Sequence, residues 1–244
     1  MKQETTLNQR QTDILVLLYR YRFLNRQNIQ QLLNHKSHSK VSVWLSDLVS
    51  SKLLRKYQTG KTATAFYSLG NEGRKWLIKN KLVKRPKLLD RIWQEAGYSS
   101  TFREKCAFLA DIYLELSDRL GGALRFWTKT DLSGIEHVIV PGPDAYFVVD
   151  GQSEADRFFV EIPSTPRTKN LTDQIERYAE YFFSNDWQDN VSKEFPTVII
   201  LCSNISAVKT ARRYVQRNYA DESDLHFIVS SDRTLEKILP KKKA

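Results

Sequence analysis

The 244-residue sequence contains only two cysteines and four histidines, the residues that disulfides and structural zinc sites require. Its two cysteines, Cys106 and Cys202, each lie within an apolar run, and no CxxC or Cys/His cluster accompanies them. We therefore predict two buried, reduced thiols and no structural zinc site. No apolar run approaches the roughly 18 residues that span a bilayer, and the first residues form no signal-peptide core. The expectation is a cytoplasmic protein with no membrane partner.

Motifs of several common enzyme classes are also missing. The sequence contains no GxSxG, no P-loop and no GxGxxG, so serine hydrolases, P-loop enzymes and dinucleotide-binding enzymes have little support. The four histidines, His35, His38, His137 and His226, lack the spacing of metal ligands.

Positive charge is plentiful, and it is unevenly distributed. Residues 1–90 hold 18 Lys and Arg against 5 Asp and Glu, a net charge of +13, whereas residues 91–244 hold 20 against 23, a net charge of −3. Hydrophobic residues make up 41% of the chain, enough for a packed core. The charge pattern favours a small polyanion-binding module followed by a larger domain. The alternative is a lysine-rich surface with no such role.

The first 80 residues combine helical and hairpin patterns. Apolar residues recur at helical spacing over 8–23, 25–34 and 38–51. Two alternating flanks joined by a glycine-containing turn then predict a β-hairpin, and a further helix is predicted over Asn71–Lys79. Three helices, a hairpin and a helix are the element order of a winged helix-turn-helix. We therefore assign residues 1–80 to such a domain.

A winged helix-turn-helix binds DNA by inserting its third helix into the major groove while the wing contacts the backbone or the minor groove. The third predicted helix has short polar side chains on its outer face, which permit close approach to DNA. Cations flank its start and occupy the wing. His35 and His38 lie beside this helix, and we interpret them as phosphate or base contacts. The predicted DNA-binding residues are Lys36, His38, Ser39, Lys40, Ser42, Val43, Arg55, Lys56 and Lys61. Winged helices that mediate protein contacts instead are the alternative.

The remainder of the chain is predicted to be a basic linker, 81–97, and an α/β domain, 98–244. The linker contains Pro86 as a helix breaker. A long amphipathic helix then precedes strand patterns, a helix and an apolar strand typical of a parallel sheet. The strands are predicted at 123–129, 136–141, 144–150, 157–162 and 196–203, with a helix at 168–184. A helix at 206–220, a strand at 225–230 and a terminal helix at 232–239 are predicted to follow. This αβββαβ order is that of restriction-endonuclease-like domains, so the fold class is α+β with two domains.

Two carboxylates fall at the positions that such nucleases use for catalysis. Asp144 opens one central strand and Glu161 closes the next. Gln174 and Tyr178 have the QxxxY spacing of RecB-like members of the PD-(D/E)xK group, which puts both side chains on one helix face. If the domain is active, these residues and a Mg²⁺ ion would cleave a phosphodiester.

The residue two places after Glu161 weakens this catalytic hypothesis. Nucleases place a lysine there to stabilise developing charge, and this chain has Pro163. Arg167 or Lys169 could supply the cation instead, and Glu104 could be a third metal ligand beside Asp144 and Glu161. The alternatives are that Asp144 is a turn residue and that Glu161 pairs with an arginine. No cofactor is certain from the sequence.

The segments "PDAYFVV", "FFVEIPSTPRT" and "LTDQIERYAEYF" resemble the replication-relaxation family of bacterial plasmids and integrative elements. Its members combine a winged helix with a similar acidic two-strand motif. The resemblance implies a plasmid- or nucleoid-associated protein that acts on DNA in the replication, transfer or control of a mobile element. Pro163 departs from the family pattern, which favours an acid there.

Three hypotheses follow for the function. The first is a protein that binds double-stranded DNA, with an inactive nuclease-like domain used for self-association or for binding a protein partner. The second is an active Mg²⁺-dependent endonuclease or nickase that the winged helix directs to its site. The third is an adaptor that binds only proteins.

Overall fold

The computed structural model describes residues 6–83, 85–94, 97, 99–151, 155–163, 168–231 and 238. The chain divides into two compact units, Met1–Leu114 and Glu115–Ala244. The division falls after Leu114, inside a long helix, whereas the sequence placed a linker at 81–97. Among the described residues, no helix is both long and apolar enough to cross a membrane.

The first unit begins with the predicted winged helix. A three-stranded antiparallel sheet, in the order β1-β3-β2, accompanies its helices. The elements are α1 (Gln9–Tyr21), β1 (Leu24–Asn25), α2 (Arg26–Leu32), α3 (His38–Ser50), β2 (Leu54–Tyr57), β3 (Phe66–Leu69) and α4 (Asn71–Lys79). The wing is the hairpin of β2 and β3.

Local sequence explains where the first three helices begin. Asn8, Asn25 and Ser37 cap α1, α2 and α3, because each side chain accepts a hydrogen bond from a backbone N–H in the first turn. Apolar residues at helical spacing then meet in one core, which includes Ile14, Leu18, Ile29, Val41, Leu45 and Leu48. Burial of this shared core therefore holds the three helices together.

The predicted linker contains a helix. Helix α5 (Pro86–Gln94) starts at the proline, which is well tolerated at the first position of a helix, and buries Leu88, Leu89 and Ile92. Helix α6 (Ser100–Leu120) follows. Its first half belongs to the first unit, where the Asn28 side-chain amide donates to Asp111 Oδ1 over 2.6 Å. The winged helix is thus extended by further helical packing within the same unit.

The second unit contains a five-stranded sheet in the order β4-β5-β6-β7-β8. The pairs β4–β5 and β5–β6 are antiparallel, and β6–β7 and β7–β8 are parallel. The elements after α6 are β4 (Leu124–Thr128), α7 (Lys129–Leu132), β5 (Ala145–Asp150), β6 (Ala155–Glu161), α8 (Thr168–Phe183), α9 (Asp186–Asn190), β7 (Thr197–Leu201), α10 (Ile205–Tyr219) and β8 (Phe227–Ser230). The predicted αβββαβ order is confirmed, and so are the helix α10 and the strand β8 that were predicted after it.

The strand predicted over 136–141 was wrong. Strand β5 already pairs with β4 on one side and β6 on the other, so no ladder position next to it remains for this segment. The segment is irregular: the Tyr181 hydroxyl donates to the His137 carbonyl, and Val140 is 88% exposed. The helix predicted after β8 lies largely outside the described residues.

Aromatic packing holds the second unit's sheet and helices together. Phe159 on β6 is fully buried, and its ring contacts Trp187 and Phe195 edge-on at centroid distances of 5.1 and 5.9 Å. The Trp187 indole N–H donates to the Glu194 carbonyl over 2.9 Å, so the buried ring has no unpaired donor. This core anchors β6, the strand that ends at Glu161.

Candidate functional site

The outer face of α3 and the residues before it form the first candidate surface. Lys36, His38, Ser39 and Lys40 are exposed, and Val43 is 57% exposed. The half-buried Ser42 hydroxyl donates to the His38 carbonyl over 3.1 Å, so it is engaged within the helix. We call Lys36, His38, Ser39, Lys40 and Val43 the α3 surface. All five are placed where an approaching ligand could contact them.

His35 has a different role from the one that the sequence suggested. Its ring meets Trp44 edge-on, with centroids 4.9 Å apart. Its Nδ1 lies 3.1 Å from the Ser37 backbone nitrogen, which donates to it. His35 is half-buried and orders the turn that leads into α3. His35 therefore stabilises the start of α3 and contributes less than its exposed neighbours to the surface.

The cations of the wing differ in their surroundings. Lys56 and Lys61 are exposed. The Arg55 guanidinium lies over the Trp93 ring, 3.6 Å from its centroid, within cation–π range. Arg74 approaches the same ring at 5.8 Å and also pairs with Asp90. Arg55 thus ties the wing to α5, a contact for which the sequence offered no signal because Trp93 lies 38 residues further along the chain.

The second candidate site lies at the end of β6 in the second unit. Glu161 is only 4% exposed, and Asp144, at the head of β5, only 5%. Glu161 Oε1 accepts hydrogen bonds from Arg177 Nη2 at 2.6 Å and from the Tyr178 hydroxyl at 2.8 Å. A partly buried ion pair, supported by a second hydrogen bond, therefore compensates the buried Glu161 carboxylate.

The Asp144 side chain bonds to the backbone where β6 ends. Its Oδ2 accepts from the Ile162 N–H over 2.8 Å, and its own N–H donates to the Val160 carbonyl over 2.9 Å. The next residue, Pro163, has no N–H to continue the ladder. Asp144 therefore satisfies the last backbone donor before the chain leaves the sheet.

Tyr178 is fully buried and serves as a hydrogen-bond donor to Glu161. Burial, followed by the negative charge of Glu161, raises the pKa of Tyr178 well above its ordinary value. The hydroxyl thus keeps its proton at neutral pH. Gln174, one turn earlier on α8, has a buried Oε1 for which the described residues supply no hydrogen-bond partner.

The other predicted site residues are more scattered. Lys169 is exposed in the first turn of α8, and Glu104 is exposed in the first unit. Arg167 lies outside the described residues. Arg177 was not selected from the sequence, although an arginine partner for Glu161 was one of the alternatives considered. The sequence held no specific signal for it, because adjacent residues on a helix do not face the same way; the contact is seen only in the structure.

No group of three or more His, Cys, Asp or Glu side chains that could hold a metal ion occurs in the part of the chain that the structure describes. Asp144 and Glu161 remain a pair of buried carboxylates, one bonded to a backbone N–H and the other to an arginine and a tyrosine.

These features define a class: a winged helix-turn-helix joined to an α/β unit with the restriction-endonuclease-like strand order and an acidic pair on adjacent strands. The sequence model of the replication-relaxation family matches residues 15–198. The chain belongs to the replication-relaxation family. No curated protein matches it.

Solved structures offer distant likenesses only. ZitR of Lactococcus lactis is 15% identical with a TM-score of 0.29, over 48% of this chain and 78% of ZitR. The adhesin competence repressor AdcR of Streptococcus pyogenes is 18% identical with a TM-score of 0.29, over 48% of this chain and 84% of AdcR. The restriction endonuclease FokI is 14% identical with a TM-score of 0.35, over 93% of this chain and 44% of FokI. Likenesses this distant do not bear on activity.

Proposed function

We propose that this protein binds duplex DNA of a mobile element, in its replication, transfer or transcriptional control. The observation that carries the proposal is the α3 surface: an exposed helix face with small polar side chains, and with Lys36 and Lys40 at its N-terminal end. A helix of this kind fits the major groove, and the N-terminal residues of a recognition helix contact base edges.

The charge of the first unit supports the same proposal. Residues 1–90 hold 18 Lys and Arg but only 5 Asp and Glu, and this positive net charge favours a polyanionic partner. Lys56 and Lys61 on the wing are exposed and add phosphate contacts on one side of α3, while Lys36 and Lys40 add them at its start. Arg55 contributes by holding the wing against α5, through its contact with Trp93.

For the second unit we propose a non-catalytic role, as a scaffold for self-association or for a protein partner. Glu161 is already compensated by Arg177 and Tyr178, and Asp144 is bonded to the chain at Ile162. Bound Mg²⁺ would have to compete with the Arg177 guanidinium for Glu161, which argues against a divalent cation at this pair. Pro163 also removes the cation that assists cleavage in nucleases of this fold.

The DNA-binding proposal is tested by the salt dependence of binding. We expect the full chain to bind a mixed-sequence duplex with an affinity that falls steeply between 50 and 200 mM salt, about tenfold or more for a few phosphate contacts. Fluorescence anisotropy with a labelled duplex measures this. Affinity that is undetectable at 50 mM salt, or that does not change with salt, contradicts the proposal and favours the protein-binding adaptor.

The proposal for the second unit is tested on supercoiled plasmid. With Mg²⁺ or Mn²⁺ we expect no more nicking from the wild type than from Asp144→Asn and Glu161→Gln variants, which keep the shape of both side chains. Gel electrophoresis of the relaxed and supercoiled forms measures it. Nicking by the wild type that both variants lose would replace this proposal by the second hypothesis, an endonuclease directed by the winged helix.

A further inference from the structure

Val43 is the one apolar member of the α3 surface. It is 57% exposed, more than Ile78 at 40% or Leu82 at 42%, the other large apolar side chains exposed in the described part of the first unit. The apolar residues that build the core from α3 are Val41, Leu45 and Leu48, all buried. Among the described residues of the unit, Val43 belongs neither to the hydrophobic core nor to the side chains packed against it.

Neither local structure nor solubility favours a valine at this position. A β-branched residue loses side-chain freedom in a helix and is a poorer helix former than alanine or lysine. Its methyl groups also gain nothing from exposure to water. A single exposed apolar side chain is common on protein surfaces. What distinguishes Val43 is its place on the outer face of α3, within the surface that we assign to DNA.

The neighbours of Val43 leave it accessible from outside. Ser39 precedes it by one turn and Ser46 follows it by one turn, and both are exposed and short. Lys40, three residues earlier, is long enough to reach outward to a phosphate while Val43 stays close to the helix axis. Val43 is thus a small exposed apolar side chain with polar neighbours.

In the major groove, the one apolar group on a base edge is the C5-methyl group of thymine. We infer that Val43 contacts the C5-methyl group of a thymine and so makes the protein prefer thymine at one position of its site. The inference rests on the proposed DNA binding and adds the base that this side chain selects.

The contact requires a methyl group and no hydrogen bond. Uracil pairs like thymine but lacks the methyl group, and 5-methylcytosine carries the same group on a cytosine. Removing the methyl group should weaken binding by about threefold to fivefold, the value of one buried methyl group. Because Val43 is exposed, its replacement should leave the fold unchanged. A change in base preference can then be attributed to the lost contact with the base and not to unfolding.

The experiment uses the full chain. Duplexes that bind the wild type are first enriched from a random-sequence pool. In one enriched duplex, each thymine is then replaced singly by deoxyuridine, and dissociation constants are measured for the wild type and for Val43→Ala at one salt concentration. Val43→Thr, which keeps one methyl group, and Ile78→Ala, which truncates an exposed apolar side chain on α4, are the controls. Thermal melting verifies that each variant is folded.

We expect one thymine at which deoxyuridine weakens wild-type binding about threefold to fivefold, while Val43→Ala binds both duplexes equally. Val43→Thr should retain part of the effect and Ile78→Ala all of it. If the wild type binds DNA but no thymine shows the effect, or Val43→Ala shows it undiminished, the inference is overturned and the proposed function stands. If duplexes bind but no sequence is enriched, the inference alone is overturned; if no duplex binds at all, both are overturned.

Discussion

Replacing Glu161 by alanine is expected to lower the free energy of unfolding of the second unit by about 3 kcal/mol. The substitution leaves the Arg177 guanidinium and the fully buried Tyr178 hydroxyl without the carboxylate oxygen to which both donate. The Arg177 charge, only 23% exposed, then lacks its partner, and the unpaired hydroxyl of the fully buried Tyr178 adds to the loss. Denaturant unfolding followed by circular dichroism measures the change.

Three further variants separate the ion pair from a general effect of removing an acid. Glu161→Gln keeps an acceptor for Tyr178 and should lose less stability than alanine. Removing Arg177 together with Glu161 should cost less than the two single changes combined, because no charge then stays buried alone. Asp156→Ala removes an exposed carboxylate from the same strand and should change stability by about 0.5 kcal/mol or less. A loss for Glu161→Ala as small as that for Asp156→Ala would contradict the structural role.

Replacing Lys40, Lys56 and Lys61 together by alanine is expected to weaken duplex binding by about a hundredfold near 0.1 M salt. Each lysine is exposed, and we assign each a phosphate contact. Losing three contacts should reduce the slope of log affinity against log salt concentration by about 2.7, because each neutralised phosphate contributes about 0.9. Anisotropy titrations at several salt concentrations give both quantities.

The matched control removes the same charge elsewhere. Lys209, Arg213 and Arg217 are exposed on α10 of the second unit. Replacing these three by alanine lowers the net charge equally and should leave the salt slope within about 0.5 of the wild-type value. If the two triple variants lose affinity alike, binding depends on net charge alone and the α3 surface is not the interface.

Local patterns in the sequence were enough to predict most of the secondary structure. The helix predicted over 38–51 is α3 (His38–Ser50), and the helix predicted over Asn71–Lys79 is α4 with the same bounds. Capping residues and apolar periodicity act within a few residues, so they can be recognised without the fold. The segment 136–141 failed because a strand needs a partner, and a run of apolar residues does not specify one.

The stretch assigned as the linker contains a helix that the sequence analysis did not predict. A basic stretch with a proline suggested a linker over 81–97, and within it α5 begins at Pro86 and buries three apolar side chains. A proline in the first turn of a helix does not interrupt the helix, because the backbone N–H that it lacks would have no intrahelical partner there. The helical spacing of the buried apolar residues in this stretch is consistent with α5, whereas its basic composition and its proline had suggested a linker.

The sequence by itself determined that this protein has a basic helical module with a hairpin, followed by an α/β region with an acid on each of two adjacent strands. Only the tertiary structure decided what those acids contact. Glu161 meets Arg177 and Tyr178 because α8 packs beside the end of β6, and Arg55 meets Trp93 because α5 packs beside the wing. Charge and periodicity are properties of the chain, whereas the partner of a side chain depends on which distant segment folds against it.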